Sequence, residues 1–592
     1  MRPGTFGRLL AWLPALAVVA GAGAGVTACY STGDGSPPPL NQFYFPVGLQ
    51  VSAGGNVLYV VNSDFDLQFN GGTLQSYDLR LIRRNTLDII EDPSDQQGRV
   101  PALLLHNPPG SCANNPPTYK PGDSGERQTL GQTCAPPVDS SFYVRDSAII
   151  GAFATTLLLS APAPGRSFDR LFSPVRGSAS VTWADVARDT DAEGNSILPP
   201  AQANAPYPPF QLLCGQGSDR RCDGAHSAGE NPDEPGNTRH ITMPGEPFGA
   251  AFSEDGTSLV VTHQSETKTS LLSTGISNAD LSNAVTTPSL QFVLDGVAFG
   301  GVGVAAVPHD PQAVPPGTLV RPSWLETSRS VAEVTLLRYF NDQGLQGQPG
   351  SSLSRPFLDR VAAFPVTLGA GGTDSRGIAI DPTPRIACKA KIQTAGLTQA
   401  EIDAAVQACA RKPARVFIAN RSPAAIIVGE IGGSGASDQV YDPDRLTLSG
   451  TIPLRLASGP SQVYLAPIVD RDGAYALRVF AVASDASEIL VIDPESKLLE
   501  STINVGALPY ALAFDPFNLE DVALHKQVPV ATVDPRDPFQ PNRVARTYRF
   551  GYIASFTNSF VQVLDLDNTP ENRGTFETIV FTLGTPTNPK GT

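Results

Sequence analysis

One short element returns seven times along this chain, and a chain that repeats a strand pair seven times has few ways to bury it. The element is an aliphatic or aromatic run closed by polar residues. It reads Leu58-Tyr59-Val60-Val61-Asn62, then Leu171-Phe172-Ser173-Pro174-Val175-Arg176, Leu259-Val260-Val261-Thr262-His263 and Trp324-Leu325-Glu326-Thr327-Ser328-Arg329. It returns as Val416-Phe417-Ile418-Ala419-Asn420, Val479-Phe480-Ala481-Val482-Ala483 and Tyr552-Ile553-Ala554-Ser555. A polar turn and a second apolar run follow, as in Ser484-Asp485-Ala486-Ser487 before Ile489-Leu490-Val491-Ile492, which is a hairpin pattern. Ahead of each pair stands a strand of small residues. Pro46-Val47-Gly48-Leu49, Pro247-Phe248-Gly249-Ala250, Arg376-Gly377-Ile378-Ala379 and Pro509-Tyr510-Ala511-Leu512 are the clear copies, and 149–154, 303–307 and 463–466 are looser ones. Small residues suit the innermost strands of a propeller, which crowd around its axis. The fold expected is all-β, a seven-bladed β-propeller over 45–592. Two β-sandwich domains are the competing architecture.

The Pro-x-Gly strand, the Asp255-Gly256 turn and the Tyr59-Val60-Val61-Asn62 strand resemble the YVTN/YncE-type propellers of bacteria, over roughly 45–583. The repeats stand about 60 to more than 110 residues apart, against ~40–45 for a compact blade. The excess must lie in loops, and three stretches supply it: about 86–145, 189–243 and 383–413. The first two are rich in Pro, Gly and Asp. The third holds a helix signal. Thr398-Gln399-Ala400-Glu401 is a capping box, and the helix should run to about Arg411, because Pro413 forbids continuation.

Six cysteines fall within these insertions: Cys112, Cys134, Cys214, Cys222, Cys388 and Cys409. Six cysteines allow fifteen connectivities. Their neighbourhood in sequence points to 112–134, 214–222 and 388–409, so the expectation is a propeller with disulfide-stapled loops and one small helical insertion. No C-x-x-C or C-x-x-C-H is present, which argues against zinc and haem.

The seventh cysteine has a different setting. Arg2 and Arg8 precede an almost wholly apolar or small-residue run from Leu9 to Gly25, the layout of a secretory signal peptide. The run ends in Val26-Thr27-Ala28-Cys29, which resembles the lipobox of bacterial lipoproteins. That resemblance implies cleavage after residue 28, acylation of Cys29, and a cell-envelope protein anchored to the outer membrane by its lipid. Residues 29–44 then read as a Gly/Pro-rich tether. Disulfides agree with an oxidising compartment. A formal charge of −15 argues against nucleic acid as a partner.

No catalytic constellation stands out; a G-x-S-x-G elbow is absent. The polar residues closing the repeated element are the candidate ligand site: Asn62, Arg176, His263, Arg329 and Asn420, which a propeller can gather at one channel mouth. No cofactor or metal is expected. The alternative is calcium at Asp189, Asp191 and Glu193, although the twelfth loop position is Pro200, where a calcium loop needs glutamate. The functional expectation is a binding or scaffold module for an envelope protein or ligand. A lactonase-like hydrolase working through the channel-mouth residues is the alternative.

Overall fold

Period-2 apolar runs separated by tight turns must pair with their neighbours, and here they do so seven times. The computed structural model describes residues 35–91, 137–162, 166–200, 205–276, 287–341, 355–366, 374–433, 441–529, 549–569 and 575–584. Cys29, Cys112 and Cys134 lie outside them. Seven sheets form in chain order, all antiparallel except for a short fifth strand, Pro137–Val138, that pairs in parallel with the outer strand of the last. Blade 1 is Pro46–Val51, Val57–Asn62, Thr73–Asp78 and Val144–Ile149. Blade 2 is Leu158–Leu159, Phe168–Val175, Ser180–Ala187 and Ser227–Ala228. Blade 3 is Pro247–Phe252, Ser258–His263, Lys268–Ser273 and Ser289–Asp295. Blade 4 is Gly301–Ala306, Ser323–Ser328, Glu333–Asn341 and Pro356–Pro365. Blade 5 is Ser375–Asp381, Ala414–Asn420, Ala425–Ile431 and Leu446–Pro453. Blade 6 is Pro460–Val469, Tyr475–Ala483, Glu488–Asp493 and Leu498–Asn504, and blade 7 is Pro509–Phe514, Phe550–Ser555, Phe560–Asp565 and Ile579–Leu583.

All seven repeated elements are second strands, buried between neighbouring blades. The first strands line the axis. Their glycines have a steric cause: a Cβ on Gly48 would lie 2.5 Å from Leu157 N, on Gly249 2.1 Å from Val302 O, on Gly303 2.1 Å from Arg376 O, and on Gly377 2.5 Å from Gln462 Oε1. Each glycine thus lets one blade abut the next. Gly303→Ala is expected to cost about 1–3 kcal/mol by overpacking. A chemical-denaturation midpoint equal to wild type would refute this account of the axis. The first strands of blades 1 and 3–7 also carry a register shift near their start, so they bend where they approach the mouth.

Four expectations need correction. The first strand of blade 2 is Leu158–Leu159, two residues long, and not 149–154; Ile149 instead ends the outer strand of blade 1, leaving Ala154 only an isolated bridge to Val175. The 86–145 insertion is entered through a helix, α1 (Leu79–Glu91), and left through Val144–Ile149. The 189–243 insertion includes the outer strand of blade 2. Finally, residues 35–44 are no free tether. Ser36 accepts from Asn70 N at 3.0 Å, Gln42 from Gln75 Nε2 at 3.2 Å, and the Phe43 ring stacks on Tyr77 at 4.9 Å. Phe43 is an apolar side chain with a core seam to enter, which outweighs the chain entropy its Gly/Pro neighbours would keep.

The helical insertion is as expected. It holds α2 (Thr383–Ala390) and α3 (Gln399–Ala410), the latter opened by the Thr398/Glu401 capping box and with Arg411 as its C-cap. Cys388–Cys409 joins the two helices, and Cys214–Cys222 staples the blade 2 insertion. Antiparallel alternation sends 86–143, 189–226 and 383–413 out from one face of the ring, since each leaves between strands 1 and 2 or between strands 3 and 4. The opposite end of the ring carries the turns between strands 2 and 3, four residues long except for 63–72, and the connections between blades, of which 229–246 is the longest.

Candidate functional site

The short-turn face is built by one hydrogen bond repeated in every blade. The residue opening the turn between strands 2 and 3 donates its N–H to a carbonyl just ahead of strand 1. The pairs are Ser63–Phe45 (2.9 Å), Arg176–Phe153 (3.1 Å), Gln264–Glu246 (3.0 Å), Arg329–Gly300 (2.9 Å), Arg421–Asp374 (2.8 Å), Ser484–Gly459 (3.2 Å) and Phe556–Leu508 (3.0 Å). Four of the non-glycine acceptors, Phe45, Phe153, Glu246 and Leu508, hold positive φ near 50–60°. This left-handed backbone is costly for bulky residues, and the surrounding ring imposes it.

This register sorts the five sequence candidates into two sets. Arg176 and Arg329 open turns and belong to the ring. Asn62, His263 and Asn420 sit one residue earlier, as last residues of second strands, and their side chains are spent on the fold. Asn62 Nδ2 donates to Thr73 Oγ1 and Gln75 Oε1, both at 2.8 Å. Asn420 Nδ2 donates to the Pro423 carbonyl at 2.7 Å, and its Oδ1 accepts from Ser375 at 3.0 Å. His263 is wholly buried. Its Nδ1 donates to the Gly245 carbonyl at 2.9 Å, leaving Nε2 to accept from the Ser270 hydroxyl at 2.8 Å. Burial pushes its pKa down to about 4, so it stays neutral. One residue of offset decides this, because successive strand residues face opposite sides.

The mouth has two sectors. Blades 7, 1 and 2 contribute a continuous aromatic cluster. Phe556 lies 4.7 Å from Phe45, 5.3 Å from Phe65 and 5.7 Å from Tyr510, and Phe65 lies 5.8 Å from Phe153. Phe65 is 49% exposed, an open aromatic surface above a buried one. It stands on the ten-residue turn 63–72 of blade 1, where every other blade has a four-residue turn. Sequence reading passed over this turn because Asp64-Phe65-Asp66 looks like ordinary turn chemistry. Its length relative to the other six copies was the available signal.

The second sector is cationic and paired. Arg176 lies over the Phe153 ring at 5.8 Å and pairs with Glu246 at 2.6 Å. Arg376 pairs with Asp374 at 2.8 and 3.0 Å, and Arg421 with Asp485 at 3.0 and 2.9 Å. Arg329 is exposed and has no ion pair among the described residues. Tyr510 links the sectors. Burial raises its pKa to about 12, opposed by the positive charges of Arg176 and Arg376. The phenol of blade 7 thus stands in the field of arginines from blades 2 and 5. Under the aromatic rim, Asp64 is 1% exposed with Oδ2 unpartnered, and burial pushes its pKa up to about 7.

The acidic residues weighed for calcium are placed otherwise. Asp189 is buried and accepts from Ser52 Oγ (2.6 Å), Gly54 N (2.7 Å) and Asn56 N (3.2 Å), which ties blade 2 to the first turn of blade 1. Asp191 accepts from Glu193 N and Asn195 N of its own exposed turn. Among the described residues no three His, Cys, Asp or Glu side chains converge as a metal site. A separate cleft of about 510 Å³ lies where the blade 2 insertion covers the outer strand of blade 1, between Asp146, Tyr207, Gln216 and Arg220. Its Arg220 and Asp146 pair with each other.

Fold and mouth together define a class: a seven-bladed propeller with long insertions on one face and a half-aromatic, half-arginine channel mouth on the other. No family model matches the chain, and no curated protein matches it. Among solved structures it is similar to hydrazine synthase of Kuenenia stuttgartiensis, at 10% identity, over 90% of this chain and 99% of that one, with a TM-score of 0.38. It is also similar to a putative 6-phosphogluconolactonase from Bacteroides uniformis, at 11% identity, over 78% and 86%, with a TM-score of 0.36. A third is the periplasmic gluconolactonase of Pseudomonas aeruginosa, at 11% identity, over 77% and 84%, with a TM-score of 0.33.

Proposed function

We propose that this chain is a lipid-anchored protein of the cell envelope, held to the outer membrane through Cys29, whose channel mouth binds a ligand with an apolar or aromatic body and an acidic group. The observation that carries this reading is the division of the mouth. Phe65 and Phe153 offer ring faces above the buried Phe556, Arg176 lies over the Phe153 ring, and the charges of Arg176 and Arg376 both act on Tyr510. Rings take apolar bodies, and arginine takes carboxylate, sulfonate or phosphate. Disulfides in the insertions support an oxidising compartment.

The rival reading is a lactonase-like hydrolase using Arg176 and His263. It needs a reachable base, and His263 is buried with both nitrogens bonded; we therefore favour binding.

Two measurements test the proposal. The aromatic sulfonate 1-anilinonaphthalene-8-sulfonate should bind the folded protein, and the Phe65→Ser/Arg176→Ala pair should weaken it about tenfold, roughly 1.4 kcal/mol. Equal affinity in both proteins would reject the mouth as the site. Cys29→Ser should move the protein out of the membrane fraction with its circular dichroism unchanged. Retention of that variant in high salt would reject the lipid anchor.

A further inference from the structure

We infer that the short-turn face lies against the bilayer, so that the channel mouth opens toward lipid; this rests on Cys29 being the anchor. The first observation is where the chain leaves the ring. Ser36 O accepts from Asn70 N at 3.0 Å, and Gly35 O from Asn70 Nδ2 at 3.4 Å. Asn70 belongs to the long 63–72 turn of blade 1, so the N-terminal segment departs on the face that carries the mouth. Even fully extended, the six residues from Cys29 to Gly35 reach about 20 Å. A six-residue strand such as Val57–Asn62 already spans about 20 Å. The tether therefore cannot carry the opposite face, with its three insertions, flat onto the membrane.

The second observation is what this face exposes. Phe65 (blade 1), Phe299 and Val331 (blade 4), Leu456 (ahead of blade 6) and Leu508 (ahead of blade 7) are all exposed, Leu456 by 89%. Phe65 stands on the long turn of blade 1 and the other four on short connections of the same face. Exposed apolar residues of the other face, such as Leu319 and Leu397, ride on long connections between strands 1 and 2. Aromatic and aliphatic side chains presented this way suit the interface between headgroups and acyl chains.

The third observation is electrostatic. The chain is acidic, which opposes contact with an anionic bilayer. On this face four carboxylates are matched, Glu246 by Arg176, Glu266 by Lys268, Asp374 by Arg376 and Asp485 by Arg421, while Asp64, Asp66 and Asp295 have no cationic partner among the described residues. Arg329 remains exposed, available to a lipid phosphate.

The test uses the full acylated protein in vesicles of phosphatidylethanolamine, phosphatidylglycerol and a phosphatidylcholine brominated near the top of its acyl chains. Phe65→Trp and Leu456→Trp report on the short-turn face, and Leu319→Trp, on an exposed site of the other face, is the control. The native Trp183 and Trp324 are buried and give a constant background. Flotation reads the anchor; quenching reads the orientation. The expected result is co-flotation with at least a twofold loss of emission at positions 65 and 456 and none at 319. Co-flotation with 65 and 456 unquenched, or with 319 quenched equally, would overturn the orientation while leaving the anchor standing. Failure to float would overturn the anchor, and the orientation with it.

Discussion

Asp515→Ala is expected to lower the stability of the propeller by about 3–5 kcal/mol, read as a fall in the urea midpoint of unfolding. The reason lies in how this ring closes. Each of blades 1 and 7 takes its four antiparallel strands from its own stretch of chain, so no antiparallel strand is shared across the seam. The seam is held by an apolar cluster that includes Phe43, Leu58, Tyr77, Phe550 and Phe581. It is also held by Pro137–Val138, which adds in parallel to Ile579–Leu583, and by one buried ion pair. Arg83, on α1 of blade 1, donates to Asp515 Oδ1 at 2.8 Å and to Gly55 O at 3.0 Å. The same carboxylate accepts from Tyr552 OH at 3.1 Å and Phe550 N at 3.0 Å. Removing it takes the counter-charge from a buried guanidinium and a hydrogen bond from a backbone N–H and a phenol at once, and uncompensated buried charge costs more than the pair contributes. In an Arg83→Leu background the cost of Asp515→Ala should shrink, because no charge is then abandoned. A loss under about 1 kcal/mol, or full additivity of the two changes, would show that the apolar cluster alone closes the ring.

Glu326→Gln is expected to raise stability above pH 8 by an amount on the order of 4 kcal/mol while changing it little at pH 4.5. Glu326 is a second-strand residue of blade 4, 2% exposed, that reaches across to blade 3. Its Oε2 accepts from Thr269 Oγ1 at 2.7 Å, and its Oε1 has no partner. Gly301 makes the room: a Cβ there would lie 2.3 Å from Oε1. Burial raises the pKa from 4.5 to about 8, with only the Thr269 hydrogen bond opposing it. Between those values the unfolded chain has released the proton and the folded chain still holds it. Stability is therefore fully present below pH 4.5 and falls as pH rises toward 8. Gln keeps the shape and removes the titration, so the stability difference between variant and wild type should widen across that window. Urea titrations at pH 5 and pH 8.5 measure it. A constant difference at both pH values would mean that Glu326 is ionised, or exposed to water, throughout.

Much of the fold was legible because repetition is a strong signal. Seven apolar runs of similar make-up located all seven second strands, since every one must be buried between two blades. Glycine in the Pro-x-Gly strands was legible for the same reason; the axis admits nothing larger. Blade 2 was misread because its first strand is only Leu158–Leu159, too short to show a period, and the neighbouring 149–154 run has the right composition. The docking of residues 35–44 was hidden because backbone carbonyls and two aromatic side chains, Phe43 and Tyr44, hold a stretch whose composition otherwise describes a linker.

The candidate site was half legible. Arg176 and Arg329 were found because they follow the repeated strand, and Asn62, His263 and Asn420 were gathered with them because degenerate repeats do not mark where a strand ends. The aromatic sector was missed outright. Phe45, Phe65, Phe153 and Phe556 are separated by up to 511 positions and meet only because the ring closes blade 7 against blade 1.

By itself, then, the sequence determined the repeat count, the second strands, the Cys214–Cys222 and Cys388–Cys409 pairs and the capped helix. All of these are set by local spacing, by burial of a periodic face, or by residues near one another along the chain. Only the tertiary structure decided which residues share the mouth, which face carries the insertions and where the N-terminal segment leaves the ring. Those depend on closure and on a one-residue register, and closure brings together residues that no local pattern connects.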